Sequence, residues 1–239
     1  HRDAAAMRRF LLLLLCCPLL MGAASRSFDG TNDEIGWGDS FDINPSATFC
    51  LWVKMTEDAS ADCIDCKSTG IANFSYAFFQ AAGDLINFRV EENSASGGSI
   101  ISSVSTTDVD GAWAFICGEF DNADDSTAVW VNGVQEDSDV SGSAIGTITG
   151  SAVFTNGQDT SATNDASGLM AYSQACSTAV LTAQAIVELM WNPGVSACQG
   201  FMPLWGATTE QNIQNGAITG TVSGAGTSQD GPPVLMAMG

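Results

Sequence analysis

Along this chain, short apolar runs alternate with clusters of Gly, Asn, Asp and Ser. That rhythm belongs to many short strands joined by tight turns. It predicts strands at 27–35, 47–55, 73–80, 85–91, 100–104, 112–121, 128–131, 152–155 and 168–175. Val129-Trp130-Val131 runs into Asn132-Gly133, a pair that tolerates positive φ at both turn centres and so marks a hairpin. One helix is expected over 183–191, because Thr182 can cap it and Asn192-Pro193-Gly194 stops it. No long linker and no solenoid-range repeat interrupts the pattern, so 25–239 reads as one domain.

The front differs. Met7-Arg8-Arg9 leads into an apolar stretch from Phe10 to Met21, followed by Gly22, Ala23, Ala24 and Ser25. A basic start, a short apolar core and small residues make a secretory signal peptide, too short for a membrane span. Residues 1–24 are therefore expected to be upstream sequence plus leader, with cleavage after Ala24 or Ser25. The mature protein is expected to be exported and not inserted in a membrane.

Composition then narrows the function. Acidic residues outnumber basic ones by 27 to 7, for a net charge of −20. Such a surface repels phosphates, which argues against nucleic acid and anionic membranes as partners. The single histidine, His1, leaves with the leader. The mature chain then has no imidazole for a nucleophile–base pair or a metal triad. Six cysteines remain (50, 63, 66, 117, 176 and 198), and an even count in an exported chain favours disulfides with fifteen possible pairings. Cys63-Ile64-Asp65-Cys66 reads as a small loop-closing bridge, since no second pair completes a zinc site.

Several segments together resemble the concanavalin A-like, laminin-G-like sandwiches. Residues 27–35 (SFDGTNDEI) resemble their opening strand, 48–54 (TFCLWVK) the strand carrying a buried Trp, and 113–121 with 129–133 the later strand and hairpin. Residues 168–172 and 181–189 resemble the late strand and following helix, and 200–206 a tail of microbial and phage members. The resemblance implies an all-β fold, a two-sheet antiparallel jelly-roll sandwich with one short helix near the C-terminal part. It also implies that the first strand and the segment around 217–222 lie at neighbouring edges. Two departures stand out: Leu169-Met170-Ala171 is neutral where members often carry an acid, and Ala114-Phe115 replaces their histidines.

Three constellations could carry chemistry. Glu119 and Asp121 share a strand face, as the carboxylate pair of a sandwich glycosidase does, but 122–126 reads as a turn and removes the third acid, Asp124, from register. No catalytic residue is assigned. Calcium takes six to eight oxygens, often from neighbouring loops. Asp121, in a loop with Asn122, Asp124 and Asp125, and Asp159 and Asp165, in a loop with Asn164, are the expected ligands. The resemblance implies that both loops lie on one rim. For sugar recognition, Trp37 between Gly36 and Gly38 is the expected exposed stacking residue, and Asn122 the expected hydrogen-bonding one. The resulting expectation is a secreted, non-catalytic module that recognises a glycan or another extracellular surface with the help of calcium. The alternative is a structural or assembly subunit of an envelope, surface layer or virion. A glycoside hydrolase comes third.

Overall fold

The computed structural model describes residues 24–56, 62–68, 74–92, 100–141, 145, 148, 151–159, 164–194, 198–206 and 208–233. The predicted leader, 1–24, lies outside them except for Ala24.

Among the described residues, sixteen strands build two antiparallel sheets. The first contains β1 (Ser25–Asp29), β3 (Ala47–Met55), β8 (Ala114–Asp121), β9 (Ser126–Val131), β10 (Val134–Val140), β12 (Ser167–Cys176), β13 (Gly200–Met202) and β16 (Gly226–Ser228). Its order is β10-β9-β8-β3-β12-β1-β16, with β13 also paired to β12. The second contains β2 (Glu34–Gly36), β4 (Asp62–Ser68), β5 (Phe74–Ala81), β6 (Leu85–Glu91), β7 (Ile100–Val104), β11 (Val153–Asn156), β14 (Thr209–Gln211) and β15 (Thr219–Ser223). Its order is β14-β15-β2-β11-β4-β5-β6-β7. The expected sandwich is thus observed.

Inward residues of both sheets meet in one core that includes Phe49, Phe78, Phe88, Ile116, Phe120 and Phe154. The layers approach closely where β8 carries Gly118: a Cβ there would come within 2.3 Å of the Phe88 ring, so only glycine fits. A second cluster lies on the outer face of the first sheet. There helix α1 (Ala183–Trp191) sets Ile186, Leu189 and Met190 against Trp52, Phe115 and Trp130. Those helical positions recur at the spacing that makes one apolar stripe. The Thr182 hydroxyl accepts from Ala185 N at 3.2 Å, capping the helix as expected.

The expected strand 27–35 divides into β1 and β2, which join different sheets. The cause is Gly30-Thr31-Asn32-Asp33, where Gly30 and Asn32 take φ of 79° and 58°. The predicted closure near 217–222 is observed as Val222 opposite Ile35 and Thr221 opposite Gly36. Strand β4 was not expected, because DCIDCKS does not alternate. All seven of its residues are buried, polar ones included.

All six cysteines pair. Cys50–Cys117 joins directly opposed residues of β3 and β8, Cys176–Cys198 ties the end of β12 to the chain after the helix, and Cys63–Cys66 closes within β4. The Cys63–Cys66 bridge is therefore present as expected, though in a strand with a register shift between Cys63 and Asp65. That irregularity aims Asp65 at the opposite sheet. Its carboxylate accepts from Ser173 Oγ of β12 at 3.2 Å and from Asn156 Nδ2, whose Oδ1 accepts from Trp37 Nε1 at 2.6 Å. Burial pushes the Asp65 pKa up to about 7 despite these bonds.

Candidate functional site

The predicted site residues do not come together. Trp37 is 3% exposed and belongs to the core, its indole N–H held by Asn156, so it is not the exposed stacking residue. The flanking glycines signalled a loop, but the acceptor 119 residues away was invisible in the local sequence. Asp121 lies in the hairpin between β8 and β9, where it accepts from Ala123 N at 2.9 Å, and Asn122 is exposed beside it. Asp159 and Asp165 lie by the turn between β1 and β2. Asp165 accepts there from Asn32 N at 3.0 Å and from Gln158, and Asp159 accepts from Asn164 Nδ2 at 2.7 Å.

The register separates these groups. Phe120 stands opposite Ala47 at one end of β3, and Gly168 opposite Met55 at the other. Eight strand steps put the two rims about 26 Å apart. The implied common rim is corrected: no single ion bridges Asp121 to Asp159 or Asp165. Among the described residues no group of three or more His, Cys, Asp or Glu gathers to hold a metal.

Glu119 is likewise structural in its contacts. It is 6% exposed, and its carboxylate accepts from Trp130 Nε1 at 2.7 Å, Thr48 Oγ1 at 3.3 Å and Leu181 N at 3.2 Å. It fastens the approach to helix α1. Burial raises its pKa above the usual carboxylate range.

Two surfaces remain. One is a cleft of about 290 Å³ where β1, β3 and β12 meet, lined by Ser27, Lys54, Thr56, Asp110, Gly111 and Leu169 among others. Beside it Lys54 Nζ meets Asp230 Oδ2 at 2.6 Å, and Trp113 Nε1 donates to Asp230 Oδ1 at 3.1 Å. These bonds hold the Asp230 carboxyl below its usual range. The polar groups of Lys54, Trp113 and Asp230 satisfy one another at this rim.

The other surface is the outer face of the second sheet, and here they do not. On β6, Ile86, Phe88 and Val90 point into the core, so Asn87, Arg89 and Glu91 point out. The register sets Asn87 between Phe79 and Val104, and Arg89 between Ala77 and Ser102. Arg89 is fixed from two sides. Nη2 bonds Glu91 Oε2 at 3.0 Å, and the guanidinium carbon stands 5.5 Å from the Phe74 ring centroid. Yet Arg89 Nε and Asn87 Oδ1 are shielded from water and lack any hydrogen-bond partner. Of the four basic residues beyond residue 23, Arg26 and Lys67 are wholly buried, so Arg89 is the one guanidinium on this face. Sequence reasoning missed this ladder, although Asn-x-Arg-x-Glu against Ile-x-Phe-x-Val was legible as an outward polar row.

The laminin-G sequence model of the concanavalin A-like lectin/glucanases superfamily matches residues 29–186. The chain belongs to this superfamily. Among solved structures, superfamily-like folds recur at low identity. A heptameric SAP-like pentraxin of Limulus polyphemus is 16% identical with a TM-score of 0.56, over 71% of this chain and 82% of that one. A Bacteroides ovatus protein with an inferred carbohydrate-binding role is 14% identical with a TM-score of 0.64, over 90% of this chain and 62% of that one. Domain 4 of the extracellular GH43 arabinanase AbnA of Geobacillus stearothermophilus, in complex with arabinotriose, is 17% identical with a TM-score of 0.51, over 69% and 75%. At these identities the likeness concerns the fold. No curated protein sequence matches the chain.

Proposed function

We propose that this superfamily member is a non-catalytic carbohydrate-binding module that acts outside the cytoplasm and takes neutral glycans on the outer face of its second sheet. One observation carries the reading: a donor without an acceptor, Arg89 Nε–H, stands one outward position from an acceptor without a donor, Asn87 Oδ1. Two strand steps separate those positions by about 7 Å, the span of a single sugar ring. A hydroxyl both donates and accepts, so a polyhydroxylated ring that opens the Arg89–Glu91 contact, as it must to reach atoms shielded from water, satisfies the two together. A carboxylate would satisfy only the arginine and would face Glu91, and an ammonium would satisfy only the asparagine. The net charge of −20 disfavours anionic glycans further. The carbohydrate-binding neighbours fit this reading, and the three disulfides and the leader pattern fit export.

Calorimetry of the whole chain against soluble neutral glycans, arabino-oligosaccharides included, and against a polyuronate tests it, in calcium and in chelator. Binding of a neutral glycan is expected, with Asn87→Ala and Arg89→Ala each weakening it about tenfold. No heat with any neutral glycan, or a preference for the polyuronate, overturns the proposal. A calcium-dependent gain would assign the ion to one rim loop, since the two loops cannot share it.

A further inference from the structure

Of the two wholly buried basic residues, Arg26 meets one carboxylate, that of Glu210 at 2.6 Å, and Lys67 meets two. Lys67 stands in β4 opposite Phe154 and Tyr76, so its stem lies among core rings. Its Nζ reaches the chain between β2 and β3, where four oxygens surround it. They are Asp39 Oδ1 at 2.9 Å, Asp42 Oδ1 at 3.0 Å, and the Ser40 and Ala152 carbonyls at 2.8 and 3.0 Å. Two carboxylates and two backbone carbonyls converging on one centre are the donor set that a hard divalent cation takes.

The protons fall short of the oxygens. An ammonium has three N–H donors, and they go to Asp39, Ser40 and Ala152. Asp42 Oδ1 is left shielded from water, facing the ammonium without a hydrogen bond. The charges are unequal as well, with two carboxylates on one ammonium. A metal ion has no such limit, since calcium takes about six to eight oxygens at about 2.3–2.6 Å. The side chains of Asp39 and Asp42 are 52% and 40% exposed, which leaves an outer side open to water ligands. The same loop seats Phe41 in the core. The Phe41 carbonyl accepts from Tyr76 Oη at 2.9 Å, and its ring meets Phe154 edge-on at 5.3 Å.

We infer that the Lys67 ammonium is the built-in cation of a divalent-metal cage, tying the 39–42 loop to Ala152 and making that end of the sandwich independent of calcium. Taking the ammonium away uncovers a calcium site formed by Asp39, Asp42 and the Ser40 and Ala152 carbonyls. A wholly buried charge removed from such a cage strands its partners, so the vacated loop gains stability from any ion that replaces it. The cage is independent of Asn87 and Arg89, which stand on β6, two strands from β4. A calcium response of the wild type therefore belongs to another loop.

Calorimetry and thermal melting of the whole chain test this, with calcium chloride as the titrant after treatment with chelator. Lys67→Ala should melt below wild type in chelator and bind one calcium ion that wild type does not. Calcium at a hundredfold excess over its dissociation constant should raise the variant's midpoint about 5–10 °C more than that of wild type. Adding Asp42→Asn to Lys67→Ala should weaken the gained binding at least about tenfold. Lys67→Met keeps the stem without the charge, and it should melt below wild type in both media and gain no calcium. The cage is overturned if Lys67→Ala gains no calcium over wild type, or if it fails to fold in calcium as well as in chelator. It is equally overturned if Asp42→Asn leaves the gain intact. A Lys67→Met chain as stable as wild type sinks it too, because the ammonium would then hold nothing in place.

Discussion

Replacement of Asp65 by Asn tests whether the buried bridge between the sheets works as described. In the folded chain the Asp65 carboxyl titrates near 7, raised from 3.8 by burial, which its bonds from Asn156 and Ser173 only partly offset. In the unfolded chain it ionises near the ordinary value. Between these two values the folded state therefore holds a proton that the unfolded state has released, and stability falls as pH rises. The contribution is fully present below about pH 4 and lost through pH 7. The whole shift is worth about 4 kcal/mol, and the window from pH 5 to pH 8 contains about 3 of it.

Asn keeps the geometry, since its oxygen can accept from Asn156 and its amide can donate to the Ser173 hydroxyl. Urea denaturation of wild type and Asp65→Asn at pH 5, 6, 7 and 8 is the assay. The 27 acidic residues add their own repulsion as pH rises, and that background is common to both proteins. The difference between the two curves is therefore the informative quantity. It should grow by about 3 kcal/mol in favour of the variant from pH 5 to pH 8. Parallel curves would refute the reasoning, because they would mean that Asp65 is already ionised in the folded protein.

Two further predictions concern groups that look functional in the sequence. Glu119→Ala should cost about 2 kcal/mol in denaturant, because it strands the buried Trp130 indole N–H, whereas Leu181 N–H keeps Thr48 Oγ1 at 3.0 Å; the wild type should show no β-glucan hydrolysis for the variant to abolish. Hydrolysis lost in Glu119→Gln would reverse that assignment. Removing Cys50–Cys117, with a sequence separation of 67, should cost about 4 kcal/mol, against about 2 for Cys63–Cys66 with a separation of 3. Melting of the paired alanine variants checks the ranking, and the opposite order would show that local geometry in β4 matters more than chain closure.

Where a segment is amphipathic in itself, the sequence was enough. Strands Leu85–Glu91 and Ile100–Val104 and helix Ala183–Trp191 coincide with the expected bounds, because alternation or the three-to-four spacing specifies each locally, and Ala47–Met55, buried on both faces, does so as a continuous apolar run. It was not enough where a residue's partner lies far along the chain. Lys67, in the non-alternating β4, reads as a surface residue, yet it is wholly buried with Asp39 Oδ1 at 2.9 Å and the Ser40 and Ala152 carbonyls at 2.8 and 3.0 Å. Asp121 and Asp165 read as one acidic rim until the register of β3 put its whole length between them.

The same distinction separates structural from functional polarity. Asp65, Glu119 and Trp37 are the residue types a site would use, and each has spent its hydrogen-bonding capacity inside the fold. Asn87 and Arg89 are unremarked in the sequence, and each keeps a shielded polar atom without a partner. A buried orphan of this kind costs about 1–3 kcal/mol, which a fold with four saturated indole N–H groups shows it can avoid. Wholly buried Arg26, Gln80 and Gln174 keep such atoms too, so the pair at Asn87 and Arg89 is set apart by its outward place on β6 beside the Phe74 ring, where a ligand rich in hydroxyls supplies the missing donor and acceptor.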